Sequence, residues 1–502
     1  MNVTNFVDFA ARDAPVKPAV GDDSALLTYA ELVERAAGAA DALSSLGVGA
    51  GDRVGICLPN GVPFLVAHLG AMRLGAVSVP VNTGFTTPQV RYVLDTADAA
   101  ALVTDESFAD LAERFEAGLT VDGSAGHDFG ALVDEADTEF EVVPRRSDEL
   151  AEVVFTSGTT GRPKGVRHTH GNLVANANGV VKYLDLGRSD VGLTACQCFH
   201  VTGLNVTTVP LLFGRAENRM LPAWDPEAAL GAIQDHGVTY TFLTPSMLID
   251  VLDYEGAAHF DTTTLDLVGV GGAPMPTGRI DEAEELLGCP VLEGYGMTET
   301  TPLAAFSRPD DSRVHGSVGP PALEVVTLRV EDPDTGEAVE PGERGELLWR
   351  GDTVTPGYER PHHDAEAFVE RDGDRWLRSG DIGYRDEDGR LFVLDRREDM
   401  FTTGCADVFP REIEQVLYEL DGVGGAAVID GRDDLRGAVV TAIVRRTDPS
   451  LSAAEIREAC EAQLEEYEVP QHVEFVEDLP TTATGKVDRS TLRERFGTLQ
   501  RP

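Results

Sequence analysis

Lysine is nearly absent from this chain: only Lys17, Lys164, Lys182 and Lys486 occur among 41 basic residues, so arginine carries almost all the positive charge. Positive charge of either kind is scarce beside 86 acidic residues, and the formal net charge is −45. A field of that sign repels nucleic acid and anionic membranes, so neither is an expected partner. The acids run through the whole chain rather than forming a tail. Self-repulsion at that density destabilises a folded state in dilute buffer, whereas at about 1 M salt the Debye length shrinks to about 3 Å and screens it. Composition therefore predicts a salt-adapted, halophilic protein.

Long apolar runs are missing too. None reaches membrane-spanning length, and the residues after Met1 lack a basic segment followed by an apolar core, so cytoplasmic residence without stable membrane insertion is expected. Cysteines are few. Cys57, Cys196, Cys198, Cys289, Cys405 and Cys460 are scattered without a framework spacing, which makes reduced thiols the default, and Cys196 with Cys198 lacks the second ligand pair that zinc needs.

What is present is enough apolar content, 42% of 502 residues, to bury a large core in more than one domain. Strand-like segments such as 52–57, 101–104 and 265–270 alternate with helix-like ones through about residue 390, which predicts a layered α/β architecture. From about Asp395 the pattern changes. A helix at 411–420, strands at 426–429 and 438–444, a helix at 452–467 and a strand at 473–476 predict a separate small α+β domain.

The densest chemistry lies at Thr156, Ser157, Gly158, Thr159, Thr160 and Gly161, closed by Lys164. Glycines let the backbone turn sharply and bring N–H groups to a bulky anion, hydroxyls donate further bonds, and Lys164 adds a compact charge, so the loop is suited to a polyphosphate. It is not a Walker loop, because Pro163 stands where that pattern needs glycine. A solvated Ser/Thr/Gly linker is the alternative. A buried strand at 150–155 before the loop and a helix at 169–184 after it argue against a linker, since strand, loop and helix together commonly capture anions. Lys486, behind Gly485 near the far end of the chain, would belong to the other domain.

Five further strings follow in order: Phe-His-Val-Thr-Gly-Leu at 199–204, Gly-Gly-Ala-Pro at 271–274, Gly-Tyr-Gly-Met-Thr-Glu at 294–299, Arg-Ser-Gly-Asp at 378–381 and Asp-Arg-Arg-Glu-Asp at 395–399. Each is weak alone. Jointly, and in this order with the glycine loop and Gly485-Lys486, they resemble the adenylate-forming superfamily of acyl-CoA synthetases, luciferases and peptide-synthetase adenylation domains over nearly the whole chain. The resemblance implies residues 1–395 as a large domain for ATP and acid, and 396–502 as a small mobile lid carrying Lys486. Oligomeric state stays open, a homodimer included.

Roles follow from the resemblance and from side-chain chemistry together. Tyr295, with Gly296 and Met297, offers an aromatic face for adenine, and the backbone of Gly272, Ala273 and Pro274 forms the opposite wall; a core tyrosine is the bland alternative. Thr298 contacts the α-phosphate, and Glu299 is the hard carboxylate for Mg²⁺, though a lone glutamate at a helix start is also a common cap. Asp381, in a Ser-Gly-Asp turn, accepts both ribose hydroxyls, Arg396 lies near ribose and phosphates, and Glu398 is the hinge. Lys164 and the hydroxyl loop clasp the β- and γ-phosphates. Lys486 stabilises charge on the transferring phosphate; at about 4 Å and an effective dielectric of about 20 that is worth about 4 kcal/mol, or about a thousandfold in rate. His200 lines the acyl pocket, as a gate, a carboxylate donor or a packed histidine.

The implied activity is that of an AMP-forming carboxylate:CoA ligase, which converts an acid and ATP to acyl-AMP and pyrophosphate and then transfers the acyl group to coenzyme A. Alternatives are an adenylating enzyme with another acceptor, such as a carrier protein, and a nucleotide-binding module without turnover. No aspartate occurs at 199–204 to hold an ammonium group, which favours an uncharged fatty or aryl acid. One loop departs from the pattern: Cys405 stands where relatives commonly carry glycine, and Ala406-Asp407 where many have Glu-Asn, which touches the thioester step rather than adenylation.

Overall fold

A computed structural model describes residues 1–156, 162–273, 275–309, 313–322, 324–403, 406–433, 437–481 and 487–497. Two mostly parallel sheets form the large domain. The first has seven strands in the order His127–Asp128, Ala117–Thr120, Ala99–Thr104, Arg53–Cys57, Val77–Pro80, Leu150–Thr156 and Lys164–Thr169. The second has eight, ordered Leu303–Phe306, Val291–Gly296, Leu267–Gly271, Tyr240–Leu243, Val191–Thr194, Glu217–Met220, Pro18–Gly21 and Leu26–Thr28. Their inner strands are continuously apolar, as in Val54 to Cys57 and Leu267 to Gly271, because helices cover both faces of a parallel sheet. The helix Val62–Arg73 is buried all round except at Pro63 and packs on the alanine-rich helix Tyr29–Ser45.

The expected alternation stops at Phe306. Val326–Glu331, Gly345–Gly351, Asp374–Arg385 and Phe368–Arg371 form an antiparallel sheet, with Leu391–Arg396 also paired to Asp374–Arg385. Alternating apolar and polar side chains joined by short turns such as 386–390 had no room for crossover helices, which is why hairpins win here.

A second difference concerns the glycine loop. Lys164–Thr169 is a strand, antiparallel to Leu150–Thr156 with Thr156 opposite Lys164, and the helix His170–Leu184 starts only after it. The loop thus closes a β-hairpin and does not open a helix. The strand residues Val166, His168 and Thr169 are buried, and that burial outweighs the weak helical signal at the segment's start.

The small C-terminal domain follows its expected plan with longer strands and shorter helices: helix Pro410–Tyr418, strands Val423–Asp433 and Gly437–Arg446, helix Ala453–Gln463 and strand His472–Val476. A short hairpin, Phe401–Thr403 with Ala406–Val408, precedes them, and an unexpected helix, Arg489–Phe496, closes the domain. Among the described residues no helix is long and apolar enough to cross a membrane.

Candidate active site

The strand Val291–Gly296 ends beside residues 271–273, since Gly271 and Gly294 are register partners. Gly296 is required there: a Cβ would lie 1.6 Å from the Pro302 carbonyl oxygen. Tyr295 is therefore on a strand and not in a turn, and its ring lies 5.9 Å from that of the fully buried Trp349, tilted by 31°. Its hydroxyl donates to the Asp381 carboxylate. Burial and that carboxylate hold the phenol well above its ordinary pKa, so it stays a donor.

Asp381 was expected in a surface turn; it lies on the strand Asp374–Arg385 and is only 5% exposed. Gly380, at φ +72°, makes the bend that turns the acid inward. Asp381 and Arg396 are register partners, and the Arg396 Nε is 3.2 Å from the Asp381 Oδ1. Arg396 also reaches Glu398 at 3.6 Å. Around Glu398 the two domains are stitched together. The Arg411 backbone N–H donates to Asp395 Oδ2 at 2.9 Å, and its guanidinium to the Val393 carbonyl at 2.6 Å. Gln415 donates to the Thr277 hydroxyl at 2.8 Å, and within the small domain Arg493 reaches Asp399 at 3.2 Å. Burial, with Glu414 nearby, pushes the Asp395 carboxyl up to about 6.

Thr298 and Glu299 sit on a single tight turn, Thr298–Thr300. The Glu299 Oε1 accepts from the Tyr358 hydroxyl at 2.8 Å, and the Glu299 carbonyl from the Thr355 N–H at 2.8 Å. The Thr298 carbonyl accepts from His168 Nε2 at 2.7 Å. The segment bearing Tyr358 runs along the glycine-loop hairpin, with the Glu359 N–H donating to the Gly165 carbonyl at 2.8 Å. The turn is thereby tied to the strand Lys164–Thr169 that leaves the loop. Arg162 and Arg360 both lie over the ring of Tyr92, at 5.5 and 5.2 Å from its centroid.

His200 pairs with Thr202 through Nδ1, 2.9 Å from the hydroxyl and 3.2 Å from the backbone N–H. It opens the buried π-helical turn Thr202–Thr208. Ser157, Gly158, Thr159, Thr160, Gly161, Pro274, Cys405 and Lys486 lie outside the described residues. Sequence reasoning passed over Trp349, Tyr358, Glu152 and His168. Trp349 and Tyr358 carried a faint signal, as isolated aromatics in an aromatic-poor chain; Glu152 and His168 carried none, Glu152 being a lone acid in a mostly apolar strand and His168 one of several polar residues in Lys164–Thr169.

Taken together, a Tyr–Asp–Arg group built around the buried Asp381 and suited to a nucleoside continues, through a hydroxyl and carboxylate turn, toward a hydroxyl-rich hairpin suited to phosphates. Glu299 is a fitting Mg²⁺ partner, because such an ion takes one or two carboxylates and completes its shell with phosphate oxygens and water.

Residues 7–359 match the AMP-binding enzyme family, and residues 412–486 match the AMP-binding enzyme C-terminal domain. A feruloyl-CoA synthase of an Amycolatopsis species is 35% identical over 492 residues, 97% of each chain. The structure of the anthranilate CoA ligase AuaEII in complex with anthranoyl-AMP superposes with a TM-score of 0.93 at 25% identity, covering 99% of this chain and 97% of that one. ATP-bound MatB from Rhodopseudomonas palustris superposes with a TM-score of 0.91 at 33% identity, covering 99% of both. The chain belongs to the AMP-binding enzyme family.

Proposed function

We propose that the protein is an AMP-forming carboxylate:CoA ligase acting on an aryl or fatty acid, with ATP and coenzyme A as co-substrates. The observation that carries this is the pairing of Tyr295 with Asp381 just before the Thr298–Glu299 turn in the chain, a turn that His168 ties to the glycine-loop hairpin. Aryl acids are favoured, since the relatives include a feruloyl-CoA synthase and an anthranilate CoA ligase.

In this proposal adenine stacks on Tyr295 against Gly272, Ala273 and Pro274, and the Asp381 carboxylate accepts the ribose hydroxyls while Arg396 neutralises it. Thr298 donates to the α-phosphate. Lys164 and the loop hydroxyls bind the β- and γ-phosphates, stabilising pyrophosphate as a leaving group. Mg²⁺ would be held by Glu299 and would supply charge neutralisation at the phosphates. A substrate carboxylate oxygen attacks the α-phosphorus and the bond to pyrophosphate breaks; Lys486 stabilises the charge gathered there. The small domain, bounded at 395/396, then turns about Glu398. The coenzyme A thiolate attacks the acyl carbonyl, AMP departs, and a thioester remains. His200, at the mouth of the Thr202–Thr208 turn, borders the acid.

ATP–pyrophosphate exchange and thioester formation, assayed in molar KCl against aryl, fatty and dicarboxylic acids, test this. Both activities with one acid are expected. Exchange without thioester would move the acceptor to a carrier protein, and neither activity with any acid would overturn the proposal.

A further inference from the structure

We infer that Glu152 and His168 are positioning residues for the Thr298–Glu299 turn, linked through Asn205 to the segment beside the acid. This rests on the ligase function proposed above. Glu152 and His168 lie on the two strands flanking the glycine loop, face each other in register, and are fully buried. His168 Nδ1 is 2.8 Å from Glu152 Oε1, and Nε2 is 2.7 Å from the Thr298 carbonyl oxygen.

The direction of these bonds is fixed by chemistry. A carbonyl only accepts, so the Nε2 proton must point at Thr298, and a carboxylate at Nδ1 is what holds the ring in that orientation. Glu152 Oε1 also accepts from the Asn205 amide at 2.5 Å. Asn205 is fully buried in the Thr202–Thr208 turn that follows His200.

The circuit closes on itself. The Asn205 carbonyl accepts from the Asn176 amide at 2.6 Å, and Asn176 Oδ1 accepts from the Leu303 N–H at 3.2 Å. The segment 298–303 is therefore gripped at both ends, at Thr298 through His168 and at Leu303 through Asn176, and both grips meet at Asn205. Packing alone would be met by apolar side chains at positions 152 and 168, whose strand neighbours Ala151, Val153 and Val166 are apolar and buried. A buried polar cluster contributes little net stability compared with well-packed apolar groups, so its aim at the backbone bearing Thr298 and Glu299 is its distinguishing feature.

Two substitutions separate the bonds. H168N keeps an amide near Glu152 but withdraws the donor from Thr298, whereas H168Q keeps a donor that reaches Thr298. H168N should lower kcat for ATP–pyrophosphate exchange by about a hundredfold, as for a displacement of about 1 Å at a reacting centre. KM for ATP and thioester formation from supplied acyl-AMP should each change by less than about threefold. H168Q should recover exchange at least about tenfold over H168N. E152Q, which keeps shape and loses charge, gives the same split if H168N does not fold, with exchange down about tenfold and the thioester step intact. Equal losses in both half-reactions, or H168Q no better than H168N, would overturn the inference while leaving the ligase proposal standing. A wild-type enzyme with no exchange for any acid would overturn both.

Discussion

The hydroxyl of Tyr295 donates to the carboxylate of Asp381, joining the end of a strand in the eight-stranded sheet to the middle of a strand in the antiparallel one. With Arg396 on its other oxygen, Asp381 is held in one orientation before any ligand arrives. Asp381→Asn should raise KM for ATP in pyrophosphate exchange by about ten- to a hundredfold, the range of a lost charge-assisted hydrogen bond, while Tyr295→Phe costs less, because Arg396 still holds the acid. Equal effects would show that the phenol, and not the carboxylate, carries the interaction.

Replacing Lys486 with Ala should abolish pyrophosphate exchange and spare thioester formation from supplied acyl-AMP. The proposed domain alternation demands this asymmetry, because it assigns the lysine to the first half-reaction alone. Parallel loss of the two activities would contradict it.

Salt should stabilise the protein. With a net charge of −45, repulsion dominates in dilute buffer, and the unfolding temperature is expected to climb as KCl rises from dilute to molar. A falling midpoint in thermal scans would refute salt adaptation.

Glu293, on the strand that ends in Tyr295, is driven up by burial to about 7, against the partial relief of Arg411 and Arg313. The folded state thus binds this proton more tightly than the unfolded chain, so the carboxyl destabilises the fold increasingly as pH rises from about 4.5 to 7, by about 3 kcal/mol in all. Glu293→Gln cannot ionise. It should match wild type near pH 5 and exceed it in unfolding free energy at pH 8, measured by denaturant titration; a constant difference at both pH values would place the shift elsewhere.

The candidate site was legible as short strings, which singled out Tyr295, Thr298, Glu299, Asp381 and Arg396, and the structure brings Tyr295, Asp381 and Arg396 into contact. Their connections were not legible. Asp381 read as a ribose-binding acid only through the motif around it, since turn acids abound here, and its burial against Tyr295 and Arg396 is visible only in three dimensions. The helix expected at 169–184 is present as His170–Leu184 with Thr169 as its cap, but the strand before it was not foreseen: residues 164–169 have too little local signal, and pairing with Leu150–Thr156 decides their form. The antiparallel sheet was missed because its neighbouring strands, such as Asp374–Arg385 and Leu391–Arg396, pair directly as hairpins without the crossover helices that a layered α/β reading assumes. In the small domain the apolar periodicity located two helices and three strands but missed the short hairpin Phe401–Thr403 with Ala406–Val408 and the last helix, Arg489–Phe496, which has one buried leucine.

Arg162 and Arg360 over Tyr92 also bear on how substrates arrive. ATP and coenzyme A are polyanions approaching a polyanion, so at long range the body of the protein repels what it is proposed to consume. Guanidiniums anchored on an aromatic ring beside the hairpin place a short-range attraction inside that repulsive field. Added salt would then quicken capture by removing the outer barrier, the reverse of what charge steering normally produces.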